Sequence, residues 1–424
     1  MTQEERKRIG ELIRREVVPA MGCTEPAAVA LCVAKAKELL GAIPDRIELW
    51  LSGNIIKNAM GVGIPGTGMI GLPIAVALGA ICGKSEYGLE VLGDVDASAL
   101  EKGRKYIEED RISVRHKADA PSNLYIEVEV RAGDRRAGAV IAGSHTNFIR
   151  ESVGDEVVFF KELEGEADSG DDICLNQRMV YDYALTAPLD EIEYLLEAGE
   201  MNMQASLEGS RHDYGHCLGN VLRDAGKRYF GDTPLLHMVE LTSSACDARM
   251  GGAQVSVMSN SGSGNQGITA TLPVLSYALD IGADKDRMIR ALTLSSLTSI
   301  YIKQSLGRLS ALCGCVVAST AASAGLVYLM GGGYDHICAA IKNMVANLTG
   351  MICDGAKPSC AMKISSGVFT ALMSSVLAMQ GQCVSCAEGI IDTDIDKTIR
   401  NLTGIGREAM TETDRKVLRI MVEK

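Results

Sequence analysis

An α+β fold, with a mainly helical body and an inserted α/β domain, is what this sequence predicts. Three observations carry it: two helical stretches open the chain, strand-like segments are confined to one region, and nearly everything beyond has helical spacing. Thr2-x-x-Glu5 fits a capping box, and Ile9, Leu12, Ile13 and Val17 follow at helical intervals. The spacing predicts a helix over 3–18 that ends near Pro19. A second helix is expected after Gly22-Cys23-Thr24-Glu25-Pro26, with Thr24 as N-cap and Pro26 in its first turn, running to Gly41. Segments 47–52, 112–117, 124–131 and 137–146 read as strands, Ala132-Gly133-Asp134 as a hairpin turn, and 97–109 as a helix.

An acidic, Gly-containing passage at 162–172 is the expected boundary. Helices are expected beyond it at 175–186, 189–197, 200–229, 235–258, 267–281, 285–306, 315–330, 335–350, 364–380, 386–400 and 403–422. The predicted units are therefore 1–42, helices packing on the helical body; 43–165, an α/β domain; and 166–424, a helical domain. No internal repeat stands out.

The chain has 424 residues and a net charge of −12, which argues against non-specific binding to nucleic acid or to an anionic membrane. Apolar residues make up 47% and charged residues 23%, close to globular averages, so a disordered or fibrous chain is excluded. The first fifteen residues are charged and amphipathic, without the apolar core of a secretory signal. A cytoplasmic location is expected, with thirteen reduced cysteines rather than disulfides. Three uncharged runs, 58–83, 309–333 and 364–387, approach membrane-helix length, but they are crowded with Gly, Ser, Thr and Cys and lack basic flanks. Central helices, buried all round, are expected there; a small membrane transporter is the alternative.

Several motifs lose to plainer readings. Gly61-x-Gly63-x-x-Gly66 contains Pro65, and Gly262-x-Gly264-x-x-Gly267 is followed by a second helix, whereas a dinucleotide fold needs a second parallel strand. The loop 259–268 still crowds Ser261, Ser263, Asn265 and Gln266 at a helix start, a place suited to a carboxylate, or else a plain interhelical turn. His212 and His216 lack a zincin glutamate, and Cys383-x-x-Cys386 stands alone. No Walker loop, serine-hydrolase elbow or pyridoxal phosphate lysine is evident. Three cysteine sites differ in falling at helix ends: Cys23, Cys313-Gly314-Cys315, and Cys353 leading into Asp354-Gly355-Ala356-Lys357-Pro358-Ser359-Cys360. They read either as a shared metal or cluster site or as buried thiols in small-residue turns.

Met21-Gly22-Cys23-Thr24-Glu25-Pro26, the stretch from Ser52-Gly53-Asn54 through Lys57-Asn58 to Ile64-Pro65-Gly66-Thr67, Cys313-Gly314-Cys315, and Cys353-Asp354-Gly355-Ala356-Lys357 together resemble the L-cysteine desulfidase family. That family is related to the alpha chain of iron–sulfur L-serine dehydratases. Four motifs in order span almost the whole chain. The resemblance implies a [4Fe–4S] lyase without pyridoxal phosphate, acting in cysteine catabolism, that converts L-cysteine to pyruvate, ammonia and hydrogen sulfide. A serine dehydratase, a lyase for another β-substituted amino acid and a non-catalytic iron–sulfur sensor are the alternatives.

By the resemblance the cluster ligands are Cys23, Cys353 and one of the Cys313/Cys315 pair, with Cys313 chosen. Serine dehydratases resemble the chain at the Cys-Asp step but take a further ligand from a later cysteine; here Cys360 lies only seven residues past Cys353. The substrate's carboxylate and amine are expected at Ser52, Asn54, Lys57, Asn58, Ser144, Thr146, Ser261, Gly262, Asn265 and Gln266. His145, at the end of a predicted strand, is the candidate acid/base, or an ordinary strand-end histidine. The expected partner is a small amino acid, with no nucleic acid and no membrane; a homodimer is among the expected assemblies.

Overall fold

The computed structural model describes residues 1–163, 173–307 and 311–423. The boundary expected at 162–172 lies outside them except for its first two residues, and so do the first two residues of the uncharged run 309–333. Six strands form one mixed sheet, in the order Ile112–His116, Arg46–Leu51, Tyr125–Ala132, Arg135–Ala142, Phe148–Val153, Glu156–Phe160. Arg46–Leu51 runs parallel to Ile112–His116, and the other described neighbours are antiparallel. Ile47, Leu49 and Leu51 stand opposite Val130, Val128 and Ile126, and all six are buried on one face. Each such side chain contributes about 1.5–3 kcal/mol by leaving water. Sequence alternation was not enough to single out the last two strands; Glu156–Phe160 is exposed throughout.

The sheet face is covered by Thr24–Leu40, which buries ten residues and meets Leu72–Ile81 so closely that a Cβ on Gly79 would stand 2.7 Å from the Ala30 carbonyl. This corrects the expectation that both opening helices pack on the helical body. Only Gln3–Glu16 does, through Ile9, Leu12 and Ile13; its apolar stripe is one-sided, whereas the second helix is apolar nearly all round. The last helix, Thr411–Val422, likewise turns back towards the sheet, where Leu418 joins its core. The capping box at Thr2 and Glu5 is present.

Gly264–Asp280, Lys285–Leu306 and Gly314–Leu329 form the centre of the helical body, and Gly314–Leu329 buries fourteen of its sixteen residues. Cys360–Met379 departs from the expected burial all round. Its inner side packs on neighbouring helices, while Met362, Phe369, Met373, Val376 and Leu377 are exposed. Among the described residues it is the one helix long and apolar enough to cross a membrane. The helix expected at 200–229 breaks at 212–217, where the Asp247 carboxylate accepts the N–H groups of His216 and Gly219 and starts a new turn.

The helix expected at 235–258 ends at Met250, and Ser256–Met258 instead pairs with Pro19–Met21. Asn202 holds that junction. Its amide oxygen accepts from the Met258 N–H at 2.8 Å, and its nitrogen donates to the Met258 carbonyl at 3.2 Å and to Thr271 Oγ1 at 2.8 Å. Asn202→Ala leaves buried backbone groups unpaired, so urea unfolding should report a loss of roughly 2–4 kcal/mol. A change within about 0.5 kcal/mol would mean the strand pair holds without it.

Candidate functional site

The expected thiols come together through the backbone. Leu312 and Ile352 form an antiparallel bridge, with the Cys313 N–H donating to the Met351 carbonyl and the Cys353 N–H to that of Ala311, each at 2.8 Å. This sets Cys313 and Cys353 side by side, near enough for their thiols to share a hydrogen bond, and Cys313 shares another with Cys315. Cys23, Cys246, Cys313, Cys315 and Cys360 fall in one buried cluster, with Cys353 against it. Three of them sit at helix starts: Cys23 and Cys313 are N-caps and Cys360 opens its helix. The second helix thus begins at Thr24, one residue earlier than expected. Helix N-termini present unpaired N–H groups and a positive potential, which favours thiolates and anions.

Cys23 is brought in from the far end of the chain. The pairing of Pro19–Met21 with Ser256–Met258, together with the Ser259 N–H on the Val18 carbonyl at 2.8 Å, carries Gly22 and Cys23 into the helical body. Cys23 Sγ donates to Glu25 Oε2 at 3.0 Å and lies 3.9 Å from the Asn58 carbonyl. Burial and the Glu25 carboxylate push its thiol pKa well up, with Arg249 opposing. Sharing with Cys313 and burial raise Cys353, with Lys57 opposing, and sharing with Cys315 helps raise Cys313. Uncoordinated, these thiols stay protonated at neutral pH.

The donor set suits a thiolate-bound iron–sulfur cluster. Every cysteine is free, three are N-terminal to chain segments that converge here, and two buried polar atoms, Arg249 Nε and Gln266 Oε1, have no hydrogen-bond partner among the described residues. No three His, Cys, Asp or Glu side chains among the described residues close around a single metal ion. A cubane of four irons holds its thiolates further apart than one ion does.

Other expected residues have varied surroundings. Ser52 is committed to the sheet end, donating to the Asn123 carbonyl at 2.7 Å and accepting from the Tyr125 N–H at 3.2 Å. Asn54 is half-buried in the helix Gly53–Ala59. Lys57, 3% exposed, pairs with Asp414 Oδ1 at 2.5 Å, while its carbonyl and that of Asn58 face Gly355 and Cys23. Ser144, His145 and Thr146 form a turn after Arg135–Ala142, at the sheet end that also carries Ser52; Ser144 and Thr146 are exposed and His145 half-buried. Ser261 donates to Asn260 Oδ1 at 2.9 Å, and Gly262 is exposed. Asn265 and Gln266 are buried, and Gln266 Oε1 lies 2.9 Å from where a Cβ on Gly314 would stand.

Sequence reasoning missed Arg249, Cys246, Asp414 and the Asp354 triad. Burial raises the Asp354 carboxyl, but hydrogen bonds from Lys357 and Lys363 outweigh it and bring the pKa to about 2. The one available signal for Arg249 was a charged pair, Asp247 and Arg249, inside a run of small and apolar residues. His212 and His216 are exposed and lie outside any helix, and Cys383 and Cys386 are exposed in a loop.

A family model described as serine dehydratase alpha chain matches residues 86–419. The UPF0597 protein BF3560 of Bacteroides fragilis is 58% identical over 426 residues that cover all of both chains. UPF0597 proteins of Bacteroides thetaiotaomicron and Phocaeicola vulgatus are each 56% identical, over 426 and 427 residues, covering all of this chain and 99% of theirs. With a family match over most of its length and relatives similar from end to end, the chain belongs to the serine dehydratase alpha chain family.

Proposed function

We propose that this protein is an iron–sulfur lyase that eliminates the β-substituent of a small α-amino acid, with L-cysteine as substrate. The observation that carries the reading is the bridge that aligns Cys313 with Cys353 inside a cluster of thiols at helix starts. Cys23, Cys313 and Cys353 would hold a [4Fe–4S] cluster through three thiolates. When bound, that group supplies a Lewis-acidic iron with an open position, and a soft iron suits a thiol leaving group. A cytoplasmic location belongs to this reading, since the cytosol would keep the thirteen cysteines reduced.

The chain's own groups would do the rest. Asn265 and Gln266 bind the amino-acid headgroup, and His145 accepts the Cα proton. The Cα–H electron pair forms the Cα=Cβ bond as the Cβ–S bond breaks, giving aminoacrylate and hydrogen sulfide. Tautomerisation and hydrolysis then yield pyruvate and ammonia. A serine dehydratase is the second reading, favoured by the family match.

Anaerobically prepared protein should contain iron and acid-labile sulfide and release sulfide and pyruvate from L-cysteine faster than it forms pyruvate from L-serine. Faster turnover of L-serine would make it a dehydratase, and no turnover of either with the cluster intact would leave a non-catalytic cluster protein. His145→Gln, with cluster content unchanged, should lower turnover by about 100-fold or more. Unchanged turnover removes His145 from the mechanism.

A further inference from the structure

Arg249 is 7% exposed, yet no carboxylate lies within ion-pair distance of it among the described residues. A buried guanidinium without an anion is costly, and such charges are normally paired. The carboxylates closest along the chain and in the site are committed elsewhere: Asp247 accepts backbone N–H groups of Gly219 and His216, and Glu25 Oε2 accepts from Cys23 and Thr24. Arg249 is held in place by neutral groups alone. Nη1 donates to Asn265 Oδ1 and Nη2 to the Gly22 carbonyl, each at 3.0 Å, and Nε has no acceptor.

One residue beyond Asn265, Gln266 presents the complementary orphan. It is 1% exposed, and its Nε2 donates to Asn260 Oδ1 at 3.2 Å and Ser299 Oγ at 3.0 Å. Asn260 in turn donates through Nδ2 to the Ser296 carbonyl, so its Oδ1 faces Gln266. That network turns Gln266 Oε1 away from Asn260, towards Gly314 between Cys313 and Cys315, where it has no donor. An unpaired cationic donor and an unpaired acceptor thus flank the thiols at the start of the helix Gly264–Asp280.

We propose that Arg249 and Gln266 form the headgroup subsite for a zwitterionic α-amino acid, Arg249 taking the carboxylate and Gln266 Oε1 the ammonium. This rests on the lyase reading above and adds Arg249 to the headgroup contacts given there, with Asn265 Oδ1 orienting the guanidinium. A carboxylate on a guanidinium is a charge-assisted, bidentate contact, and an ammonium supplies the donor that Oε1 lacks. A cationic donor and a separate acceptor match both ends of a zwitterion, so simple carboxylates and simple amines should each bind less well than an amino acid.

The test uses cluster-loaded protein and two thiol probes, followed by the change each makes in the cluster's absorption and paramagnetic spectra. 3-Mercaptopropionate carries the carboxylate and no amine; cysteamine carries the amine and no carboxylate. Arg249→Gln should weaken 3-mercaptopropionate by roughly 10- to 100-fold and leave cysteamine within about 2-fold, with Arg249→Lys between wild type and Arg249→Gln. Gln266→Met should show the reverse preference. Equal loss of both probes in Arg249→Gln, or no loss of either, overturns the assignment. So does loss of iron in both Arg249 variants, which would make the guanidinium a countercharge for the cluster. A wild-type cluster that responds to neither probe sinks the lyase reading itself, whereas a responsive wild type with unresponsive variants sinks only the subsite.

Discussion

Replacing Cys353 with Ala should abolish iron retention and lower sulfide release from L-cysteine by more than about 100-fold, with the fold intact. Cys353 is half-buried in a loop whose backbone N–H donates to the Ala311 carbonyl, so the loop keeps that anchor when the thiol is removed. Cys313→Ala should match it, because the two thiols face each other across the Leu312–Ile352 bridge. Cys23→Ala should behave likewise if the third thiolate comes from the N-terminal strand pair. Cys315→Ala and Cys360→Ala should keep iron and turnover within about 3-fold; a loss as large as that of Cys353→Ala would give the cluster a fourth thiolate and close it. Iron analysis with circular dichroism separates ligand loss from unfolding. The sign of the pH effect follows from the raised thiols. Loading must displace protons from Cys23, Cys313 and Cys353, so uptake of iron by metal-free protein should strengthen as pH rises from 6 to 8 and release protons to a weak buffer.

How much of this was legible from the sequence depends on the range of the interaction that decides each element. Local signals sufficed where they were strongest: the Thr2–Glu5 box sets the first helix, and the helix expected from 285 starts there behind Asp284, whereas the start expected at 386 lies at Ile395, behind Asp394. Alternation found four adjacent strands, from Ile112–His116 at the sheet edge to Arg135–Ala142, because Ile47, Leu49 and Leu51 and their partners face one core. It could not find Pro19–Met21 or Ser256–Met258, which are three residues each and lie more than 200 residues apart. The same limit hid why the thiols meet. Cys313 and Cys353 are 40 residues apart, and their alignment is a backbone bridge with no side-chain pattern. Helix-end cysteines were visible as such, but Arg249 looked like any charge in a helix until burial without an anion set it apart.

A stability loss as large as that of Asn202→Ala is expected at Gly355, two residues from Cys353, and it tests whether the site depends on the sheet-side segment 53–61. Gly355 has φ +91°, and a Cβ there would stand 1.9 Å from the Lys57 carbonyl oxygen and 2.9 Å from its carbon. Both obstacles are backbone, so neither can swing aside. Gly68 serves as the control: its φ is +62° and a Cβ there would meet nothing within 4 Å, so Gly68→Ala faces only the left-handed backbone cost of about 1 kcal/mol. Gly355→Ala adds the overlap and should cost roughly 2–4 kcal/mol in urea unfolding. Lys57 is anchored by its ion pair to Asp414, so the displaced partner should be the Cys353 loop. Iron binding should therefore weaken in Gly355→Ala even at temperatures where the protein remains folded. If Gly355→Ala and Gly68→Ala cost the same and both retain iron, the contact between Gly355 and Lys57 does not position Cys353, and the bridge to Leu312 holds the thiol alone.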